Sequence, residues 1–170
     1  MTYPDTSAPF ASSWLNQITR VLSVDDAAHR KLGVKTYNRC WELLEQPERS
    51  RDDDLELLTL AFTSKYHWSF VAGDKETIIG EWMIARAAAA VGEGHLSLTY
   101  AKLAHDLARA SGVEDWLVAS SAEGVARAYA ASGDLALRDE WCERAEGLVA
   151  AIADLDERAL IASQLASVPR

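Results

Sequence analysis

The sequence is short of positive charge. Across 170 residues it carries 17 Lys and Arg against 26 Asp and Glu, a formal net charge of −9 with histidine neutral. A phosphate backbone is repelled by most faces of such a molecule, so nucleic acid is not an expected partner. Cysteine is scarce as well. Cys40 and Cys142 lie far apart in the chain, with neither metal-ligand nor redox spacing. They read as two ordinary thiols in a reducing, cytoplasmic setting. Long apolar runs are missing. Ala87-Ala88-Ala89-Ala90-Val91 falls far below the roughly 20 residues of a membrane helix. Met1 to Phe10 has no basic region and no long apolar stretch, so no secretory signal and no membrane partner are expected.

The motifs of common enzymes are also missing. There is no Gly-x-Ser-x-Gly, no glycine-rich phosphate loop ending in Lys-Ser/Thr, and no His-Glu-x-x-His. Gly92-Glu93-Gly94 follows no strand and reads as a turn. No catalytic residue, cofactor or metal is expected on this basis.

What is present is helical periodicity punctuated by glycine. Apolar residues make up 49% and charged residues 25%, a composition that folds. The length suits one domain with a substantial core. Residues 1–11 read as a flexible arm, and 12–170 as a single all-helical domain. Ser12 or Ser13 caps a short helix through Val21-Leu22. Asp25-Asp26 opens a longer pattern that Pro47 stops, with Gly33 inside it as a kink or break. The pattern over 53–72 is apolar nearly all round, which predicts a central helix covered on more than one side.

From there the rhythm is regular. Gly73, Gly92, Gly112 and Gly133 stand 19, 20 and 21 residues apart. Each follows a periodic run, as a left-handed terminating residue does. Asp74, Glu93, Asp134 and Glu114 follow them and suit the next helix start. The helices between are expected near 75–91, 95–111, 114–132, 135–153 and 156–167. Their stripes are Ile78, Trp82, Ala85, Ala89; Leu96, Tyr100, Leu103, Leu107; Val118, Ala122, Val125, Tyr129; and Leu137, Trp141, Ala145, Leu148, Ile152. A shift of 41 residues lays Ile84–Ala108 over Val125–Val149 with nine identities in 25 positions, among them Arg86/Arg127 and Gly92/Gly133.

Val125-Ala126-Arg127-Ala128-Tyr129, Gly133-Asp134, Trp141 and Ala145 resemble one tetratricopeptide (TPR) repeat. The repeat end lacks the usual proline and the period departs from 34, so the resemblance is TPR-like. From Asn38 onward the chain also resembles a group of bacterial TPR-like proteins with no assigned activity. Those carry an Asn-x-x-Trp-x-Leu-Leu-Glu helix, a Ser-x-Tyr-His-Trp motif and a Gly-Glu-Trp-x-x-x-Arg helix. The matching residues here are Asn38, Trp41, Leu43, Leu44, Glu45, Ser64, Tyr66, His67, Trp68, Gly80, Glu81, Trp82 and Arg86. The group also places a histidine shortly before that serine, where this chain has Ala61 and Phe62. The resemblance implies an all-α fold, antiparallel hairpins in a short right-handed superhelix of six to eight helices.

The residues that packing alone does not demand are Asn38, Trp41, Glu42, Tyr66, His67, Trp68, Glu81, Trp82 and Arg86. They read either as tryptophans filling a core with satisfied polar neighbours, or as a ligand-binding pocket. His67 and Glu81 flank the turn at similar height and are expected to hydrogen-bond. Glu81 and Arg86 are badly spaced to pair with each other, so each is expected to reach another helix or a ligand, whereas Glu123 and Arg127 can pair along one face. His95 and His105 read as exposed. Three functions follow as expectations. The first is a scaffold module holding a peptide or partner protein on a concave helical face, with homo-oligomerisation included. The second is a small-ligand or sensor domain with a Trp/Tyr-lined pocket. The third, weakest, is a metal-dependent helical-bundle enzyme.

Overall fold

The computed structural model describes residues 25–170; the arm at 1–11 and the helix expected from Ser12 or Ser13 lie outside them. Seven helices and no strand occur among the described residues: α1 (Asp26–Leu44), α2 (Arg51–Trp68), α3 (Asp74–Ala90), α4 (Gly94–Ala110), α5 (Asp115–Ser132), α6 (Leu135–Ala151) and α7 (Leu155–Ala166). The fold is all-α.

Side chains near the helix starts explain most of the boundaries. Asp25 accepts from the Ala28 amide at 2.7 Å and starts α1. Ser50 and Asp53 form a reciprocal capping box, which starts α2 two residues before the expected 53. Asp134 accepts from the Leu137 amide at 3.1 Å, and Asp154 caps α7. Gly133 closes α5 with φ 82°, a conformation that a side chain would strain.

Gly73 does not close a helix. It has φ −96° and begins α3, with its amide donating to Glu76 at 3.1 Å. Trp68 already ends α2, and residues 69–72 turn the chain first. Gly33 does not break α1, which runs through it. A Cβ there would sit 2.9 Å from the Trp68 indole, so the missing side chain is what lets α2 approach.

Short loops fold each helix back on the one before, and consecutive helices pack as hairpins. The odd helices also pack on one another, α1 on α3, α3 on α5 and α5 on α7. They form a continuous inner layer, and α3 and α5 are its most enclosed members. The expectation that α2 is the covered, central helix fails. It packs on α1 and α3, but Leu55, Phe62 and Tyr66 stay exposed along it, as does Phe70 in the turn that follows.

The stripe predicted for α4 is only half-buried, with Tyr100 and Leu107 packed against the core. Ser97, Ala101, Ala104, His105 and Ala108 are buried, whereas Leu103 is exposed. Small residues allow α3, α4 and α5 to pack closely; the Ser97 hydroxyl donates to the Ala85 carbonyl at 2.8 Å. His105 is therefore buried, not exposed. No described helix is long and apolar enough to cross a membrane.

Candidate functional site

The nine residues singled out by sequence separate into several places. Asn38 and Glu42 are exposed on the outer side of α1, where Glu42 pairs with Arg39 at 3.0 Å. Tyr66, His67 and Trp68 sit at the end of the α1–α2 hairpin. Trp68 lies under Gly33, and Tyr66 stacks edge-on to Phe70 with ring centroids 5.1 Å apart.

The expected His67–Glu81 bond is absent. His67 turns towards α1, its Nδ1 2.9 Å from Nδ1 of His29, and Phe70 stacks on the His29 ring at 4.2 Å. Glu81 turns towards α2 and pairs with Lys65 at 2.7 Å. Equal sequence distance from a turn does not fix equal height, because residues 69–73 carry an irregular turn between the two helices. Lys65, rather than His67, stands beside Gly80 and Glu81.

Trp41, Trp82 and Arg86 do converge. The two indoles face each other at 5.9 Å between centroids and a 40° tilt. Trp82 Nε1 donates to the Ser120 carbonyl at 3.1 Å, which fixes that ring. The Arg86 guanidinium stands over both, 5.1 Å from the Trp41 ring and 5.2 Å from the Trp82 ring. Two adjoining cavities open here, sharing Trp41 and Glu45. One, of about 490 Å³, is lined by Tyr37, Trp41, Ile79, Trp82, Trp116, Leu117, Ser120, Leu160, Ile161 and Gln164 besides Glu45. All but Glu45 belong to the odd helices. The other, of about 480 Å³, holds Arg49, Arg86 and Arg127, with alanines of α3 and α5 and the C-terminal Ser167 and Pro169.

Beneath Arg86 lies Glu123, which has no exposed surface. Its Oε1 receives Arg127 Nη2 at 2.6 Å, the same-face pair expected from sequence, and stands 3.5 Å from Arg86 Nη1. Its Oε2 is buried without a partner among the described residues. Arg127 is otherwise fully used. It donates to the carbonyls of Gln164 and Ser167 and to the Ser167 hydroxyl, tying α5 to the C-terminal segment. Burial, the largest influence, holds the Arg86 guanidinium below its usual pKa; Glu123 opposes that effect and Arg127 adds to it. The Tyr37 hydroxyl nearby is raised, again by burial first.

Tyr37, Trp116, Glu123, Arg127 and Gln164 were missed as members of this place. A signal for part of the set exists. Trp41, Trp82, Glu123 and Gln164 succeed one another at intervals of 41 residues, as do Glu45, Arg86 and Arg127. The repeat, carried one unit back and one forward, selects one register of the inner layer.

A further cavity of about 410 Å³ lies on the outer side, lined by residues of α4, α5 and α6 that include His105, Arg109, Trp141 and Arg144. Ser121 donates its hydroxyl to the Val118 carbonyl at 2.7 Å and therefore accepts from His105 Nδ1 at 2.9 Å. That polarity makes Ser121 a structural hydroxyl, not a nucleophile activated by His105. Among the described residues no three His, Cys, Asp or Glu side chains converge as metal ligands. Comparison with protein families, curated proteins and solved structures returns no match for this chain.

Proposed function

We propose that this domain is a TPR-like small-ligand-binding or sensor module whose ligand enters the groove of the odd helices. The observation that carries the reading is the cavity of about 490 Å³ walled by Tyr37, Trp41, Trp82 and Trp116. Small-ligand sites commonly have that size, mostly apolar walls and a few polar groups that fix orientation. Glu45, Ser120 and Gln164 supply the polar groups here, and Arg86 borders the adjoining cavity. The walls come from four helices, so a ligand also bridges units of the repeat.

Fragment screening by two-dimensional NMR on indole-labelled protein tests this. Hits are expected to move the indole resonances of Trp41, Trp82 and Trp116 together and to leave Trp68 and Trp141 in place. A screen in which no fragment moves the first three would overturn the reading.

A second reading, a protein-interaction module that binds a partner or a second copy, is favoured by a different face. Leu55, Phe62 and Tyr66 of α2 and Phe70 of the following turn are exposed large apolar side chains. Light scattering across a concentration series reports self-association, and Tyr66→Glu with Phe70→Glu is expected to abolish it. A monomer at every concentration that also captures no protein partner counts against this reading.

A further inference from the structure

We propose that the groove ligand is a small monocarboxylate with a flat apolar body, its carboxylate held by Arg86 and its body against Trp41 and Trp82. This rests on the groove being a ligand site and adds the chemical class.

Charge counting gives the first argument. Arg86 and Arg127 share one buried carboxylate, Glu123, and the other carboxylate of the cavity, Glu45, is exposed at its rim. The third arginine of the cavity, Arg49, is already matched by Asp54 at 2.8 Å and donates to the Ala90 carbonyl. Arg127 spends its donors on Glu123 and on the C-terminal segment. Arg86 is different. A guanidinium has five N–H donors, and Arg86 makes one hydrogen bond among the described residues, at 3.5 Å. Its side chain is 14% exposed, so water cannot solvate it freely. A buried, under-bonded cation is costly, and an anion beside it removes the cost.

Geometry gives the second. The guanidinium is a planar fork that matches a carboxylate through two parallel bonds. It borders one cavity, and Trp41 joins that cavity to the aromatic one. A carboxylate on Arg86 therefore places its substituent against two indoles, where a flat ring gains contact area. The two carboxylates already near Arg86 favour a monoanion over a more highly charged ligand. A dianion would meet Glu123 beneath and Glu45 at the rim.

Titration calorimetry and indole NMR with 2-naphthoate, 2-naphthamide and 2-naphthyl phosphate test the proposal on the full chain. At pH 7.5, 2-naphthoate is expected to bind at least tenfold tighter than the neutral amide, and tighter than the phosphate, while moving the Trp41 and Trp82 indole resonances. Arg86→Lys is expected to cut 2-naphthoate affinity at least tenfold and to leave the amide within twofold. The three-probe comparison on the unaltered protein stands even if that variant folds poorly. Equal binding of naphthoate and amide at these indoles overturns the carboxylate assignment and leaves the groove intact as a ligand site. Tighter binding of the phosphate overturns the monoanion. No response of either indole to any probe overturns the assignment, and the fragment screen then decides separately whether the groove reading falls with it.

Discussion

His29 and His67 meet across the first hairpin with their Nδ1 atoms 2.9 Å apart. One nitrogen must carry the proton and the other must accept it, so the contact requires at least one neutral ring. Phe70 covers His29, and Arg30 donates to the Val71 carbonyl beside it, which adds positive charge to the same corner. Burial first, and His29 second, hold His67 below the ordinary histidine value. Burial first, then Arg109, do the same for His105.

A folded-state pKa below the unfolded value means that the unfolded chain binds more protons once the pH falls below about 6.5. The contribution of both groups to stability is therefore complete above that pH and is lost as the pH falls through it. The urea midpoint is expected to hold steady from pH 8 to 7 and to fall between 6.5 and 5. His67→Asn combined with His105→Gln should flatten the slope in that window. An unaltered protein with a level midpoint from pH 7.5 to 5 would contradict this account.

Glu123 is expected to be among the most sensitive charged positions. Its replacement by alanine leaves Arg86 and Arg127 without their shared carboxylate inside the fold. Breaking a buried pair in this way costs about 3–5 kcal/mol. Glu123→Gln keeps an oxygen for Arg127 and should cost less. Glu42→Ala, which removes an exposed ion pair with Arg39, should leave stability unchanged within error. Urea unfolding of the three variants gives the order directly.

Two helical glycines should respond to alanine with opposite sign. A Cβ on Gly94 would lie 2.6 Å from the Ala131 carbonyl oxygen and 2.7 Å from Ser132 Cα, both backbone atoms that cannot turn aside. Overpacking of this kind costs about 1–3 kcal/mol. A Cβ on Gly147 meets nothing within 4 Å. Gly147→Ala should therefore stabilise α6 by roughly 0.5–1 kcal/mol, because glycine is the poorer helix former. Thermal melts should show Gly94→Ala below the parent and Gly147→Ala above it.

The two thiols should differ in reactivity. Cys40 is fully buried, and burial pushes its pKa up to about 12. Cys142 is half-buried, and its thiol is raised as well, mainly by burial. At pH 8 Ellman's reagent is expected to modify Cys142 first, with Cys40 at least ~100-fold slower until denaturant is added. Two thiols reacting at one rate in the native protein would be inconsistent with the packing of α1 on α2.

What the sequence determined by itself was the helical architecture, because its signals are local. Asp25, Ser50, Asp134 and Asp154 cap helices through residues two or three places away. Gly92, Gly112 and Gly133 take the positive φ that their rhythm predicts. The pairing of Glu123 with Arg127 follows from one turn of helix. Tertiary structure decided everything that depends on how far one helix is rotated against the next. That rotation put His67 on His29 rather than on Glu81 and left one side of α2 uncovered. It also buried the alanines of α4 more deeply than its leucines. The same rotation separated Tyr66, His67 and Trp68 from Trp41, Trp82 and Arg86, which sequence proximity had grouped into one site. The 41-residue interval carried the convergence of Trp41, Trp82 and Arg86 from the start. Its meaning needed the packing of odd helix on odd helix, which turns a period along the chain into a row of side chains facing one groove.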